Sequence, residues 1–446
     1  MAARALCFLL VPAIFVYAVS NVPTIGNDFV FTFFNAYVNT TPPYGVLLLA
    51  LVSNNNNGTA NIVVTSPYPS FKTIRVSVAP HSVLKIPITP ESIQDQYPHP
   101  NITFHPHIVV EDKGIRLQSD LPVAVYAHAE NFDGRSDSFL VIPAVQLGMQ
   151  YVAVTSTLAL FPDMIAVVAY QDNTQITIGT QTVTINALQV ASVASLLFKL
   201  SGTPISGNKP FGAISGCTCG LDVALACDYE AVMLLPVGAW GTQFTAIPFM
   251  YLSKNYYQVV TNTNNTIVSA GGTIVAKLNQ GEYRRIQIGT TMVTSNHPIL
   301  LIQMGEDTGV ENNEKGGSFF VQLPSTEKMS NTSVLFQPTG FFESYGMPLF
   351  FFLRIVTNLA SAGTIQLDGA TINALQFKHV PNSNFYYYET ATSNTTHSVT
   401  TSNPGTQYSV MSYTYGSVAG CGFTCAFNLP VGNPIALTSA QATIQL

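Results

Sequence analysis

LPVAVYAHAENFDG, from Leu121, and SFLVIPAVQLGMQYVAVT, from Ser138, form the stretch whose reading decides the fold. Each is an aliphatic and aromatic run of strand length, and a polar turn holding Asp133 and Gly134 separates them. A strand, a short polar turn and a second strand read as an antiparallel pair. The pair returns three times. KPFGAISGCTCG from Lys209 leads to YEAVMLLPVGAWGTQFTAIP from Tyr229, and HPILLIQMGEDTG from His297 leads to SFFVQLPSTEKMSNTSVLFQP from Ser318. NPGTQYSVMSYTYGS from Asn403 leads to FTCAFNLPVGNPIALTS from Phe423. Pro122, Pro210 and Pro298 stand 88 residues apart (122 to 210, 210 to 298). Proline donates nothing to a ladder, so each is expected to open a strand or lie on an edge.

Upstream runs recur as well, at 165–178, 257–269 and 352–367, each followed by a Gly or Asn/Asp-Gly turn such as Asp368-Gly369, where a hairpin is expected. KTIRVSV, from Lys72 to Val78, alternates with period two, so one face is buried and the other wet. No stretch sustains an apolar i, i+3, i+4 pattern with caps. Short strands at regular spacing predict an all-β chain of tandem antiparallel sandwich-like repeats, about four units packed together. Expected boundaries are 21–156, 157–248, 249–338 and 339–446. A propeller blade needs about 40 to 50 residues, so the 88-residue period is too long for one.

Residues 1–20 read as a secretory signal peptide: Arg4, an apolar run from Ala5 to Ala18 and the small-residue site Ala18-Val19-Ser20. Mature protein is expected to start near Asn21. No later stretch is apolar for long enough to span a bilayer; Leu349 to Val356, with Arg354 inside it, has strand length. Six N-x-S/T sequons, at Asn39, Asn57, Asn101, Asn264, Asn331 and Asn394, suit an extracellular glycoprotein, although Asn- and Thr-rich turns also produce sequons by chance. Charged residues are only 9% and the net charge is −6, without the Lys/Arg patch nucleic acid requires.

Cys7 falls in the signal peptide, and Cys217, Cys219, Cys227, Cys421 and Cys425 remain. In a secreted chain they are expected to oxidise. Cys227 is expected to pair with Cys217 or Cys219, and Cys421 with Cys425. The odd thiol is left to link two chains, to bridge units or to stay buried. No metal site is expected, since neither C-x-C nor C-x3-C has a partner His nearby.

Catalytic signatures are missing: no G-x-S-x-G, H-E-x-x-H, P-loop or dinucleotide fingerprint occurs, so no enzyme and no cofactor is expected. His99, His105 and His107 cluster among prolines, a metal or pH-responsive loop in the sharper reading and a solvated loop in the preferred one. Asp133 and Asp137, Glu306 and Asp307, and Glu311 and Glu314 offer oxygen ligands for calcium, but such residues are also ordinary turn content. Tyrosines in FYYYE, from Phe385, and YLSKNYY, from Tyr251, are the stronger binding clue, because exposed Tyr gives amphipathic contact area; alternation consigns half of them to the core.

Four stretches carry a family resemblance: LPVAVYAHAENFDGRSDSFLVIPAVQLGMQYVAV, ACDYEAVMLLPVGAWGTQF, HPILLIQMGEDTG and TIQLDGATINALQFKHVPNSNFYYYETATSNTTHSV. With these the chain resembles the amino-terminal domain family of IgG Fc-binding protein from about Val109 to Gly422. The resemblance implies an extracellular binding or scaffold role in mucus or matrix, with a protein or glycan partner and no known catalytic residues. No residue set identifies an Fc site, and no stretch resembles the cysteine-rich modules found beside this domain in large relatives. The expectation is a secreted binding or adhesion protein, able to form weak or disulfide-linked homo-oligomers. The alternative is a structural component of a cuticle, shell or glue.

Overall fold

Runs such as Ile74–Val78 alternate in sequence, and the chain buries their apolar sides between paired layers of antiparallel strands. The computed structural model describes residues 21–432 apart from segments 37–44, 97–105, 156–160, 197–198, 221–227, 253–254, 306–316, 343–347 and 417–418 and residue 133. The expected signal peptide lies outside the described residues.

One strand order occurs four times. In the first set the long strand Ile115–Asn131 serves two layers, pairing early with Gly26–Phe31 and Ala60–Thr65 and late with Val46–Asn54 and Ser136–Leu140. Pro204–Gly220 joins Gly148–Val152 and Thr174–Ile178 to Asp163–Ala169 and Asp228–Met233 in the same way. Thr291–Gly305 does so for Gly241–Ala246 and Thr266–Ala270, then Tyr256–Thr261 and Phe319–Gln322. In the fourth set the strand is broken. His397–Thr401 pairs with Val334–Phe336 and Ile365–Leu367, and Tyr408–Tyr415 pairs with Phe350–Asn358 and Gly420–Ala426. The break is the turn at Asn403-Pro404-Gly405, where Gly405 N donates to Asn403 Oδ1 (3.0 Å).

Pro122, Pro210 and Pro298 do not open strands, contrary to expectation; each lies inside a long strand, at its passage between layers. The neighbouring strand skips there. Gly26 pairs with Val123 but Asp28 with Gln118, and the same omission falls between Gly148 and Gln150 and between Gly241 and Gln243. A missing proline N–H therefore costs no ladder bond. Two residues earlier, Asp120, Asn208 and Asn296 accept the backbone N–H of Asn61 (2.7 Å), Gln175 (2.8 Å) and Ile267 (2.7 Å). D/N-x-P is thus the local code for the crossing.

The expected hairpins form beyond these runs. Thr174–Ile178 turns into Gln181–Ile185 through Gly179, whose φ of 60° favours glycine. Segment Val109–Glu111, placed by sequence in the first unit, instead extends the second sheet beside Val190–Ser195.

The last strands of the four sets, Ser136–Leu140, Asp228–Met233, Phe319–Gln322 and Gly420–Ala426, pack each on the next, and the fourth packs back on the first. They surround one axis. Asn21–Pro23 closes the circuit by pairing with Asn428–Pro430, and Gln146 Nε2 donates to the carbonyls of Val22 (2.8 Å) and Pro23 (3.0 Å). A single apolar cluster runs from Phe29 to Leu429, with smaller ones joining the third and fourth sets.

Candidate functional site

Where the four last strands meet, the interior is polar. Asp137 accepts from Ala231 N (2.9 Å) and Phe320 N (3.0 Å) with one oxygen and from Ser138 N (2.7 Å) with the other, so one side chain ties the first set to the second and third. Asp228 accepts from Ser136 N (2.6 Å) and Tyr229 N (2.8 Å). Glu130 takes the N–H groups of Phe341 and Phe342, tying the first set to the fourth, and Ser318 Oγ donates to Glu230. His128 lies 2.9 Å from Glu130 and 2.8 Å from Ser138 Oγ, which donates to Thr339 Oγ1 (2.8 Å). Gly317 is required by this packing: a Cβ there would stand 1.9 Å from Asp228 Oδ2.

All four carboxyl groups are buried. Burial pushes Asp137 and Asp228 well above the usual carboxylate range, against the opposing pull of their backbone N–H donors. Each accepts one N–H from its own strand and others from neighbouring sets. Such groups fasten the assembly, since an unmet N–H in this interior would be costly.

A second polar seam joins the third and fourth sets. Arg354 is buried, pairs with Glu389 (2.7 Å), donates to Gln303 Oε1 (3.1 Å) and lies over the rings of Phe249 and Tyr413. Tyr413 in turn donates to Glu389 (2.7 Å). Arg354 keeps its charge despite burial because Glu389 raises its pKa.

The outer surface carries the candidate contacts. Tyr386, Tyr387 and Tyr388 are all half-buried; Tyr386 meets His379, Lys378 lies over Tyr387, and Tyr388 meets Phe377. Two residues before Phe377, Leu375 is 90% exposed, and Leu359, on the helical turn Leu359–Ala362 of the same set, is 54% exposed. In the other tyrosine run, Tyr257 is fully buried, Tyr256 is half-buried beneath Arg285 at 4.0 Å, and Tyr251 sits in a turn, 80% exposed. The alternation that assigns half of these rings to the core thus holds for Tyr256 and Tyr257 but not for Tyr386–Tyr388, whose strand is partly open on both faces.

Among the sequons, Asn57, Asn264 and Asn331 are exposed, and Asn394 is half-buried with its Oδ1 accepting from Gln337 Nε2 (3.3 Å). Asn39 and Asn101 lie outside the described residues. So do His99, His105, Asp133, Cys227, Glu306, Asp307, Glu311 and Glu314, while His107 is exposed. Asp137 is no surface ligand for calcium: it is buried, and backbone donors fill its oxygens. Among the described residues no group of three His, Cys, Asp or Glu is placed to hold a metal. No helix among them is long and apolar enough to cross a membrane.

The expected Cys421–Cys425 bond does not form; both are free and buried. They lie on one extended strand, where four residues span roughly 13 Å, well beyond the ~7 Å limit for bridging two Cα atoms. Cys217 is also free, its thiol directed at Phe161 O (3.5 Å), and Cys219 is buried. Burial pushes all three free thiols above their ordinary range. Sequence reading missed Glu130, Asp228, Glu230 and Arg354. The available signal was a charge inside an otherwise apolar strand of a chain with few charges.

A family model described as IgGFc binding protein matches residues 137–416. No curated protein matches the chain, and no solved structure does.

Proposed function

Because the chain belongs to the IgGFc binding protein family, we propose that it is a secreted, non-enzymatic binding protein that works in mucus or extracellular matrix through protein or glycan contacts. The observation that carries this reading is the surface of the fourth set, inside the matched span, where half-buried Tyr386 and Tyr388 stand on the strand Phe385–Thr392 and Leu375 and Leu359 are exposed on short helical turns of the same set. Tyr and neighbouring apolar groups suit either a protein hot spot or the face of a sugar ring. The exposed sequons Asn57, Asn264 and Asn331 carry glycans in this reading. A disulfide forms at Cys219, which alone among the described cysteines is not a free thiol.

The test is an array of glycans and extracellular proteins, immunoglobulin Fc among them, probed with the purified secreted chain and with a Leu375→Ser/Tyr386→Ala variant. Selective binding that the double variant loses is the expected result. No binding at micromolar concentration would overturn the proposal and favour a structural matrix component.

A further inference from the structure

Just before the long strand Ile115–Asn131 lies a charged group that neither the axis nor the seam at Arg354 uses. Lys113 is the one buried lysine among the described residues. Its Nζ lies 2.7 Å from Glu111 Oε1, donates to the carbonyl of Gln94 (2.8 Å) and stands over the ring of Tyr68. The backbone beside it is held: Gly114 N donates to Leu188 O (2.9 Å), and a Cβ on Gly114 would stand 2.5 Å from that oxygen. The other oxygen of Glu111 takes the N–H of Gln96. Lys113 and Glu111 therefore grip the chain on both sides of Asp95, whose own N–H donates to Phe33 O (2.6 Å) and whose carbonyl accepts from Asn35 N (3.1 Å).

Asp95 is fully buried, and neither of its oxygens meets a donor in good geometry. The polar side chains facing it are Glu111, Ser192 and Lys113. Burial, and then Glu111 beside it, hold Asp95 well above the usual carboxylate range. Glu111, against its own burial, is held below its ordinary value by hydrogen bonds from Asp95 and Lys113. A neutral acid, an ionised carboxylate and an ammonium group thus share one site. An ion pair needs a single carboxylate, so Asp95 is in excess of what the Lys113–Glu111 pair requires, and a second buried acid costs stability.

We propose that Lys113 and Asp95 become joined by an amide bond between their side chains, with Glu111 as the proton carrier. Glu111 takes a proton from the Lys113 ammonium, and the freed lone pair of Nζ attacks Cγ of the neutral Asp95 acid. A second proton passes from the nitrogen by way of Glu111 to the Asp95 hydroxyl, the Cγ–O bond breaks and water leaves. Of the two protons lost by Nζ, one departs in the water and the other remains on Glu111; nothing is oxidised or reduced, and no further reagent is needed. Neighbours held this firmly supply the effective concentration that lets a weak electrophile react, and a sealed site keeps water from reversing the bond. The bond closes 95–113 into a covalent ring around Val109–Glu111, the strand that extends the second sheet, and so fastens the first set to the second. It stands or falls independently of the tyrosine surface of the fourth set.

The experiment is peptide mass spectrometry of the purified full chain, denatured, freed of N-glycans and cut with chymotrypsin, which cleaves after Phe104 between the two residues. Expected is a branched peptide that joins the Asp95 and Lys113 segments and is one water lighter than its two linear parts, with fragment ions placing the loss on those two side chains. In Lys113→Arg the linear peptides take its place. Glu111→Gln keeps both partners but cannot carry the proton, so the bond should form about a hundredfold more slowly and the freshly purified variant should give mostly linear peptides. Linear peptides with free Asp95 and Lys113 in the parent chain would overturn the proposal by themselves, whether or not the variants fold. A branched peptide at undiminished yield in Glu111→Gln would overturn the step as written.

Discussion

Asp137 at the axis and Asn296 at an outer layer crossing do the same chemical job in opposite surroundings. Each supplies a side-chain oxygen to a backbone N–H that no ladder reaches: Ala231 and Phe320 for Asp137, Ile267 for Asn296. Asp137 is 1% exposed, whereas Asn296 is in solvent. Water can replace Asn296 when it is removed, and nothing can replace Asp137. The comparison teaches that the axis is held by a few irreplaceable groups while the crossings rest on cheap, repeated ones.

The largest effect is expected from Asp137→Ala, which strands three buried N–H groups at about 1–3 kcal/mol each. A loss of at least about 3 kcal/mol in urea unfolding, or failure to be secreted, is the expected outcome; a loss under about 1 kcal/mol would erase the contrast with the crossings.

Arg354→Met extends the test to the other buried seam. It leaves Glu389 charged and unpaired, at a cost of about 3–5 kcal/mol, and a second change, Glu389→Met, should recover most of it. Thermal melts of the single and double variants check this, and equal damage in both would show that packing and not charge dominates.

Asp163→Asn sharpens the comparison through pH. Burial raises Asp163 to about 6 from its ordinary 3.8, so the folded chain holds a proton that the unfolded chain releases. Stability present below pH 4 is therefore lost as pH rises towards 6. The amide keeps an acceptor for Thr155 Oγ1 and Leu200 N. The variant should be about 1–3 kcal/mol more stable at pH 7 and indistinguishable at pH 4. Urea titrations at the two pH values decide the matter.

The smallest effect is expected at the crossings: Asn296→Ala or Asn208→Ala should cost about 0.5–1.5 kcal/mol, and the two should add, because the two bonds share no partner.

Much of this architecture can be read from local sequence. The period of two, the Gly and Asp-Gly turns and the regular prolines identify strands and hairpins, because these depend on residues within a few positions of one another. Pro122, Pro210 and Pro298 are visible as a repeat, yet their place inside strands is not. That depends on a neighbouring strand skipping residues, a feature of pairing and not of the run itself. Cys421 and Cys425 look like a ring in the sequence and are held apart because the segment between them is extended.

The sequence alone determined that this chain is all-β, built from strands in a recurring order, with a secretory start and the family's motifs as expectations. Tertiary structure alone decided that the last strand of each set would face a common axis and that Glu130, Asp137, Asp228 and Glu230 would fasten it. The physical reason is range. A strand's faces follow from its own alternation, but which faces meet, and which polar groups are sealed from water, depends on contacts between residues up to several hundred positions apart.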